Sequence, residues 1–284
     1  MTEARAGSPP LRRTRSRRKS TPVRRTLQRQ TRQLTAAWRR ATWRARLIVV
    51  AVVVLALWAP INLAYQVTQK PSELLAPLSA WLMKTPDETW VSYAPLFRRY
   101  ATANVAPELL AALAQTESAG NPVAATYWRW HFSINPLAIY RPASSSIGMY
   151  QMTNAAYSEA RRYCVSHHEV AEDRSDSDAP ACGQDGAYWR IMPRDAIELT
   201  ASYLDRKLAS LLAKRHPASV TQQQKDNLAA VIHLCGPGPA ASYLRRGFHL
   251  VPGERCGDQD IAAYVGRVSN FERQFRRLAQ ADAS

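Results

Sequence analysis

Acidic residues are almost missing from the start of this chain. Residues 1–46 hold a single one, Glu3, against fifteen Lys and Arg, a balance of +14; the remaining 23 basic and 21 acidic residues sum to only +2. The net charge of +16 therefore belongs to a tail and says nothing about the fold that follows it. Sustained alternation of apolar and polar residues is also missing, and the β-branched runs are confined to one stretch, which argues against a large sheet. There is no internal repeat and no low-complexity tract outside the tail, so a repeat architecture is not expected. Cysteines number four, with no His-x-x-x-His or paired Cys-x-x-Cys spacing. Only Cys164, His167, His168 and Cys182 offer a donor set, and no metal is expected.

What is present begins with Leu47 to Tyr65, LIVVAVVVLALWAPINLAY, nineteen residues without a charge. That is nearly enough to cross a hydrocarbon core of about 30 Å. The Arg cluster before it (Arg12, Arg13, Arg15, Arg17, Arg18, Lys19) sets the tail on the cytoplasmic side, and Trp43, Trp58 and Tyr65 suit the two interfaces. Each basic residue near an anionic leaflet adds roughly 1 kcal/mol of attraction, so the tail needs no nucleic-acid partner to account for it. A cleaved signal sequence is the competing reading, but the basic region is far longer than a usual signal. The expected organisation is a disordered basic tail at 1–46, a transmembrane helix at 47–65, a linker helix at 66–85 and a folded domain at 86–284.

Four cysteines fit an exported domain. Cys164 and Cys182 bracket a polar loop, Cys235 and Cys256 bracket one rich in Gly and Pro, and local pairing into two disulfides is expected, although four cysteines allow three pairings. Beyond Pro86, apolar residues recur three or four apart over Pro86–Ala103, Pro107–Ser118, Thr153–Val165, Asp195–Lys214, Gln222–Leu234, Ala240–Arg246 and Gln259–Ala279, which predicts an all-α domain. Tyr127 to Ala143 is irregular, with Pro136, Pro142 and a cluster of aromatic residues.

One helix stands out. In VAPELLAALAQTESAGNP, Val105 to Pro122, Pro107 suits the first turn, Leu109, Leu110 and Leu113 form the apolar side, and Gly120, Asn121 and Pro122 stop it. Glu117 follows Leu110 and Leu113 on that stripe, where desolvation raises a carboxyl pKa and keeps the proton available for donation to a leaving oxygen. The bland alternative is a solvated Glu in a last turn.

Taken in order, five pieces between Ser92 and Arg277 resemble the transglycosylase SLT domain of bacterial lytic transglycosylases, relatives of goose-type lysozyme. SYAPLFRRYATANVAPELLAALAQTESAGNP is similar to the family's opening helix pair with its Glu-Ser signature at Glu117-Ser118. SSSIGMYQMT resembles the Gly-Leu-Met-Gln motif, aligning Gly148 and Gln151 with its Gly and Gln. PRDAIELTASYLDRKL, CGPGPA and YVGRV at Tyr264 to Val268 are similar to the following helix, the Ala-Gly-Pro-Gly turn and the closing helix.

The resemblance implies a lysozyme-like helical fold that cleaves the β-1,4 bond between N-acetylmuramic acid and N-acetylglucosamine in peptidoglycan. The product is a 1,6-anhydromuramoyl end, formed without a cofactor. Glu117 is then the catalytic acid and base, in a single-pass protein of a bacterial inner membrane with its domain in the periplasm. Substrate contacts are expected from Ser118, Gly148, Met149, Tyr150, Gln151, Tyr127, Trp128, Trp130 and His233. Ser118 alternatively bonds its own helix, the two Met alternatively join the core, and the loop aromatics alternatively pack as a lid. Where the family reads Ala-Tyr-Asn, this chain reads Ile232-His233-Leu234, so the duty of orienting Glu117 falls to His233, Tyr243 or another Tyr. No second carboxylate sits in a comparable motif, Glu198 being the reserve candidate. The alternatives are a lysozyme-like hydrolase and a weakly active wall-binding component of a secretion or conjugation apparatus.

Overall fold

The computed structural model describes residues 32–33, 35–172, 188–215 and 219–283. The tail before residue 32 and Cys182 lie outside the described residues. The chain divides into two compact units, residues 1–60 and 61–284.

The first unit carries most of α1, Trp43–Gln69, a helix long and apolar enough to cross a membrane. Its 27 residues extend beyond the uncharged stretch at both ends, since neither Trp43–Arg46 nor Gln66–Gln69 contains a helix breaker. Residues 35–40 before it are also helical.

After Lys70 the expected single linker helix is broken into a 3-10 turn at Pro71–Leu75, a short α2 at Ala76–Ser79 and a second 3-10 turn at Ala80–Leu82. Pro71 and Pro77 remove two backbone donors, which prevents a continuous α ladder. A capping box between Thr85 and Glu88 then starts α3, Pro86–Tyr100.

At the centre of the second unit is α4, Pro107–Ser118, in which every residue from Leu109 to Gln115 is buried. A helix apolar all round must be enclosed, and alanines at 111, 112 and 114 let its neighbours approach closely. Around it pack α3, α6 (Pro193–Arg215) and α9 (Ile261–Ala283), with α7 (Gln222–Cys235) and α8 (Pro237–Arg245) completing the core. On α9 the buried positions Ile261, Tyr264, Val265, Val268 and Phe275 recur at helical spacing.

Among its described residues the second unit is mostly helical, interrupted by three two-stranded antiparallel ribbons. β1 (Trp128–Trp130) pairs with β2 (Tyr140–Pro142), β3 (Tyr163–Ser166) with β4 (Glu169–Glu172), and β5 (Arg255–Cys256) with β6 (Gln259–Asp260). The helix expected over Thr153–Val165 ends at Ala160 as α5 (Asn154–Ala160), and Tyr163–Ser166 pairs as a strand instead. His167 and His168 both adopt positive φ at the turn, a hairpin geometry usually signalled by Asn-Gly. Their identity hid the hairpin from a periodicity reading.

Candidate active site

The end of α4 is set by backbone geometry. Ala119 takes the left-handed conformation and its N–H bonds back to the Ala114 and Gln115 carbonyls. Gly120 follows at φ +66°, where a Cβ would lie 2.4 Å from Thr89 Oγ1, so only glycine fits. Asn121 is buried, and its Nδ2 donates to the carbonyl and hydroxyl of Ser79. The chain thus reverses directly after Glu117 and leaves its carboxylate at a helix end that is held from both sides.

Glu117 lines a cleft of about 530 Å³ together with Ala125, Tyr127, Arg129, Gln151, Asp258 and Gln259. Its side chain is 17 % exposed. The hydroxyl of Tyr264 donates to Glu117 Oε1 at 2.5 Å, and His233 Nδ1 lies 3.4 Å from the same oxygen and 3.2 Å from the Tyr264 hydroxyl. With a proton on Nδ1, His233 donates to Tyr264, which donates to Glu117, so the three form one relay.

Burial alone would raise the Glu117 pKa, but the hydrogen bond and charge of His233, the Tyr264 hydroxyl and the charge of Arg267 outweigh it and hold the carboxyl below its usual range. Desolvation and the adjacent Glu117 charge push the Tyr264 hydroxyl well up, keeping it a donor. The expectation of a raised Glu117 pKa is corrected here: desolvation acts in that direction, but the donors facing the group win.

Tyr264, not Tyr243, is the tyrosine bonded to Glu117. It belongs to the α9 stripe packed on α4, and the apolar spacing of YVGRV was the available signal. Tyr243 instead packs against Phe248. Arg267, one turn after Tyr264, spans to Gln259 on the cleft rim.

The Gly-Met-Tyr-Gln segment supports the site from beneath. Gly148 sits at φ +80°, and a Cβ there would be 2.2 Å from the Arg190 carbonyl; the close approach it permits is to this chain's own backbone. Met149 is fully buried, and Tyr150, also buried, donates its hydroxyl to the Leu110 carbonyl. Both are core, without access to a ligand. Ser118 Oγ donates to the Met149 and Ala114 carbonyls, which ties α4 to this segment. Gln151 does face the cleft. Its Nε2 is committed to the Ala124 and Gly148 carbonyls, so its amide oxygen is what remains to offer a ligand.

Of the loop aromatics only Tyr127 borders the cleft, with its hydroxyl 3.3 Å from Asp258 Oδ2. Trp128 instead donates its indole N–H to Glu73, and Trp130 packs on Tyr140. Glu198 is buried in α6, accepts from the Val165 N–H and is absent from the cleft wall. The second carboxylate on that wall is Asp258, in the turn between β5 and β6, where no helical or strand period points to it. Cys235 and Cys256 are joined, which fixes that turn to the end of α7. Cys164 is disulfide-bonded, and its expected partner lies outside the described residues. Among the described residues no group of three His, Cys, Asp or Glu converges to hold a metal.

No family model and no curated protein matches the chain.

Proposed function

We propose that this protein is a membrane-anchored lytic transglycosylase with a lysozyme-like domain, acting on the glycan strands of peptidoglycan from the periplasmic side of a bacterial inner membrane. The observation that carries the reading is Glu117 itself: a largely buried carboxylate on the wall of an open cleft shared with Gln151 and gripped by a tyrosine hydroxyl. Buried acids without such a cleft are structural; this one can reach a substrate.

In the free protein Glu117 is a carboxylate. A glycan strand filling the cleft excludes water and adds to the desolvation that favours the protonated form. Protonated Glu117 gives its proton to the glycosidic oxygen as the bond to C1 of muramic acid breaks. The regenerated carboxylate accepts the proton of the C6 hydroxyl as that oxygen bonds to C1. No water is consumed, and Glu117 leaves the chemical step protonated, as it entered it. The Gln151 amide oxygen suits the N–H of an N-acetyl group, and the Tyr127 ring suits a sugar face.

The decisive experiment is digestion of sacculi by the full chain and by Glu117→Gln, with products resolved by mass spectrometry. Anhydromuropeptides from the wild type and none from a folded variant are expected; undiminished release would remove Glu117 from catalysis. A lysozyme-like hydrolase is the second reading, favoured by Asp258 on the same wall, since two carboxylates flanking the bond suit attack by water. Its products carry a reducing end one water heavier, and Asp258→Asn would abolish them while sparing a one-carboxylate reaction.

A further inference from the structure

The ribbon β1–β2 is built unlike the rest of the domain. Trp128, Trp130 and Tyr140 occupy one face, with both Trp rings packed on Tyr140. Arg129 and Arg141 are paired directly across the other face. Like charges opposed in this way repel, and among the described residues neither guanidinium has a carboxylate partner. The connecting tip presents Phe132 and Ile134, both fully exposed.

Where this ribbon lies is set by polar contacts to the end of α1. Its root is bonded to Lys70 and Glu73, through the Ser144 and Ser146 carbonyls and the Trp128 indole. Farther along, Gln66 donates to the Leu137 carbonyl and Asn62 to the Tyr140 carbonyl. Eight residues separate Lys70 from Asn62, about 12 Å of helix; the chain from Ser144 to Tyr140 covers that distance and reaches Asn62 within the uncharged stretch, and Leu137 beyond it meets Gln66, one turn back. Lys70 is the first charged residue after that stretch. The headgroup zone on each side of a bilayer is only roughly 5–7 Å deep, so a Lys70 ammonium at its outer edge puts Asn62, and the Tyr140 backbone bonded to it, just inside the hydrocarbon edge. Asn62 and Gln66, polar residues on an apolar helix, are buried against the ribbon, and each gives its amide N–H to a ribbon carbonyl instead of facing lipid.

We propose that the tip of this ribbon, through Phe132 and Ile134, inserts into the interface of the same bilayer that α1 crosses, with Trp130 at headgroup level and Arg129 and Arg141 near lipid phosphates. The partner is an anionic phospholipid surface. The proposal rests on the reading of α1 as a membrane span and is independent of the reaction at Glu117. Its consequence is a fixed pose: Tyr127 and Arg129 line the Glu117 cleft and continue directly into the ribbon, so a seated tip holds that cleft close to the membrane and stops the domain from swinging on the Pro71–Leu82 connection.

The test uses the full chain in vesicles of phosphatidylethanolamine and phosphatidylglycerol, with p-benzoylphenylalanine replacing Phe132, Ile134, Val53 or Val91 in turn. Val53 lies within α1 and Val91 on an exposed face of α3. Lipid adducts at Phe132 and Ile134 several-fold above Val91, with Val53 strongly labelled, are expected. Labelling at Val53 with Phe132 and Ile134 no higher than Val91 overturns the ribbon proposal and leaves the span standing. Absence of lipid at Val53 removes both. Adducts at Phe132 to protein instead of lipid also overturn it.

Discussion

Asp226, on α7, offers the sharpest test of the core because a carboxyl has been enclosed there beside another. It is 1 % exposed, as is Glu272 of α9. Its Oδ1 accepts from Gln222 Nε2, and its carboxyl lies beside that of Glu272, which is bonded to Arg276. Burial first, and the charge of Glu272 second, push the Asp226 pKa up from 3.8 to about 8, so at neutral pH the folded protein keeps a proton that the unfolded chain has lost. The folded state then binds more protons than the unfolded one between about pH 4 and pH 8, and stability falls as pH rises through that window. Each unit of displacement is worth 1.36 kcal/mol, giving roughly 4 kcal/mol lost by pH 7 as an upper bound. Asp226→Asn keeps the shape, accepts from Gln222, donates to Glu272 and cannot ionise. Urea denaturation of wild type and variant from pH 5 to 8.5, followed by tryptophan fluorescence, should show the variant's advantage growing by about 1 kcal/mol per unit and levelling above pH 8. An advantage independent of pH, or one that shrinks as pH rises, would refute the assignment of a proton to Asp226.

Two further outcomes follow from the site. Tyr264→Phe removes the hydroxyl that positions Glu117 and lowers its pKa; lost positioning should cut activity on sacculi about tenfold or more, while the raised pKa moves the basic limb of the pH-rate profile to higher pH, and an unmoved limb would show that the hydroxyl does not act on Glu117. Gly148→Ala drives a methyl into the Arg190 carbonyl at a φ of +80° and should cost roughly 3 kcal/mol in denaturation, whereas Gly238→Ala, with nothing within 4 Å, should leave the midpoint nearly unchanged.

Local pattern made much of this chain legible. The uncharged run from Leu47 is a helix long enough to span a membrane, because length and apolarity suffice for that. Pro107 to Ser118 forms as its caps and stripe predict, since an alanine- and leucine-rich helix needs no distant partner to choose its conformation. The ribbons escaped because their partners are chosen by pairing: Tyr163–Ser166 carries no period of its own strong enough to oppose a helix, and two His in a turn do not advertise positive φ.

The same division runs through the site. Sequence determined that Glu117 lies at the end of a helix whose apolar stripe faces the core, a consequence of neighbours within a few positions, whereas the tight fit at Gly148 is set by the distant Arg190 carbonyl. Only the tertiary structure decided what surrounds the carboxylate. Tyr264 and His233 arrive from helices more than a hundred residues away, and Asp258 from a turn tied down by a disulfide. It also decided the protonation of Glu117, because a pKa is the sum of burial and every charge within reach, and those distances exist only once the helices have packed.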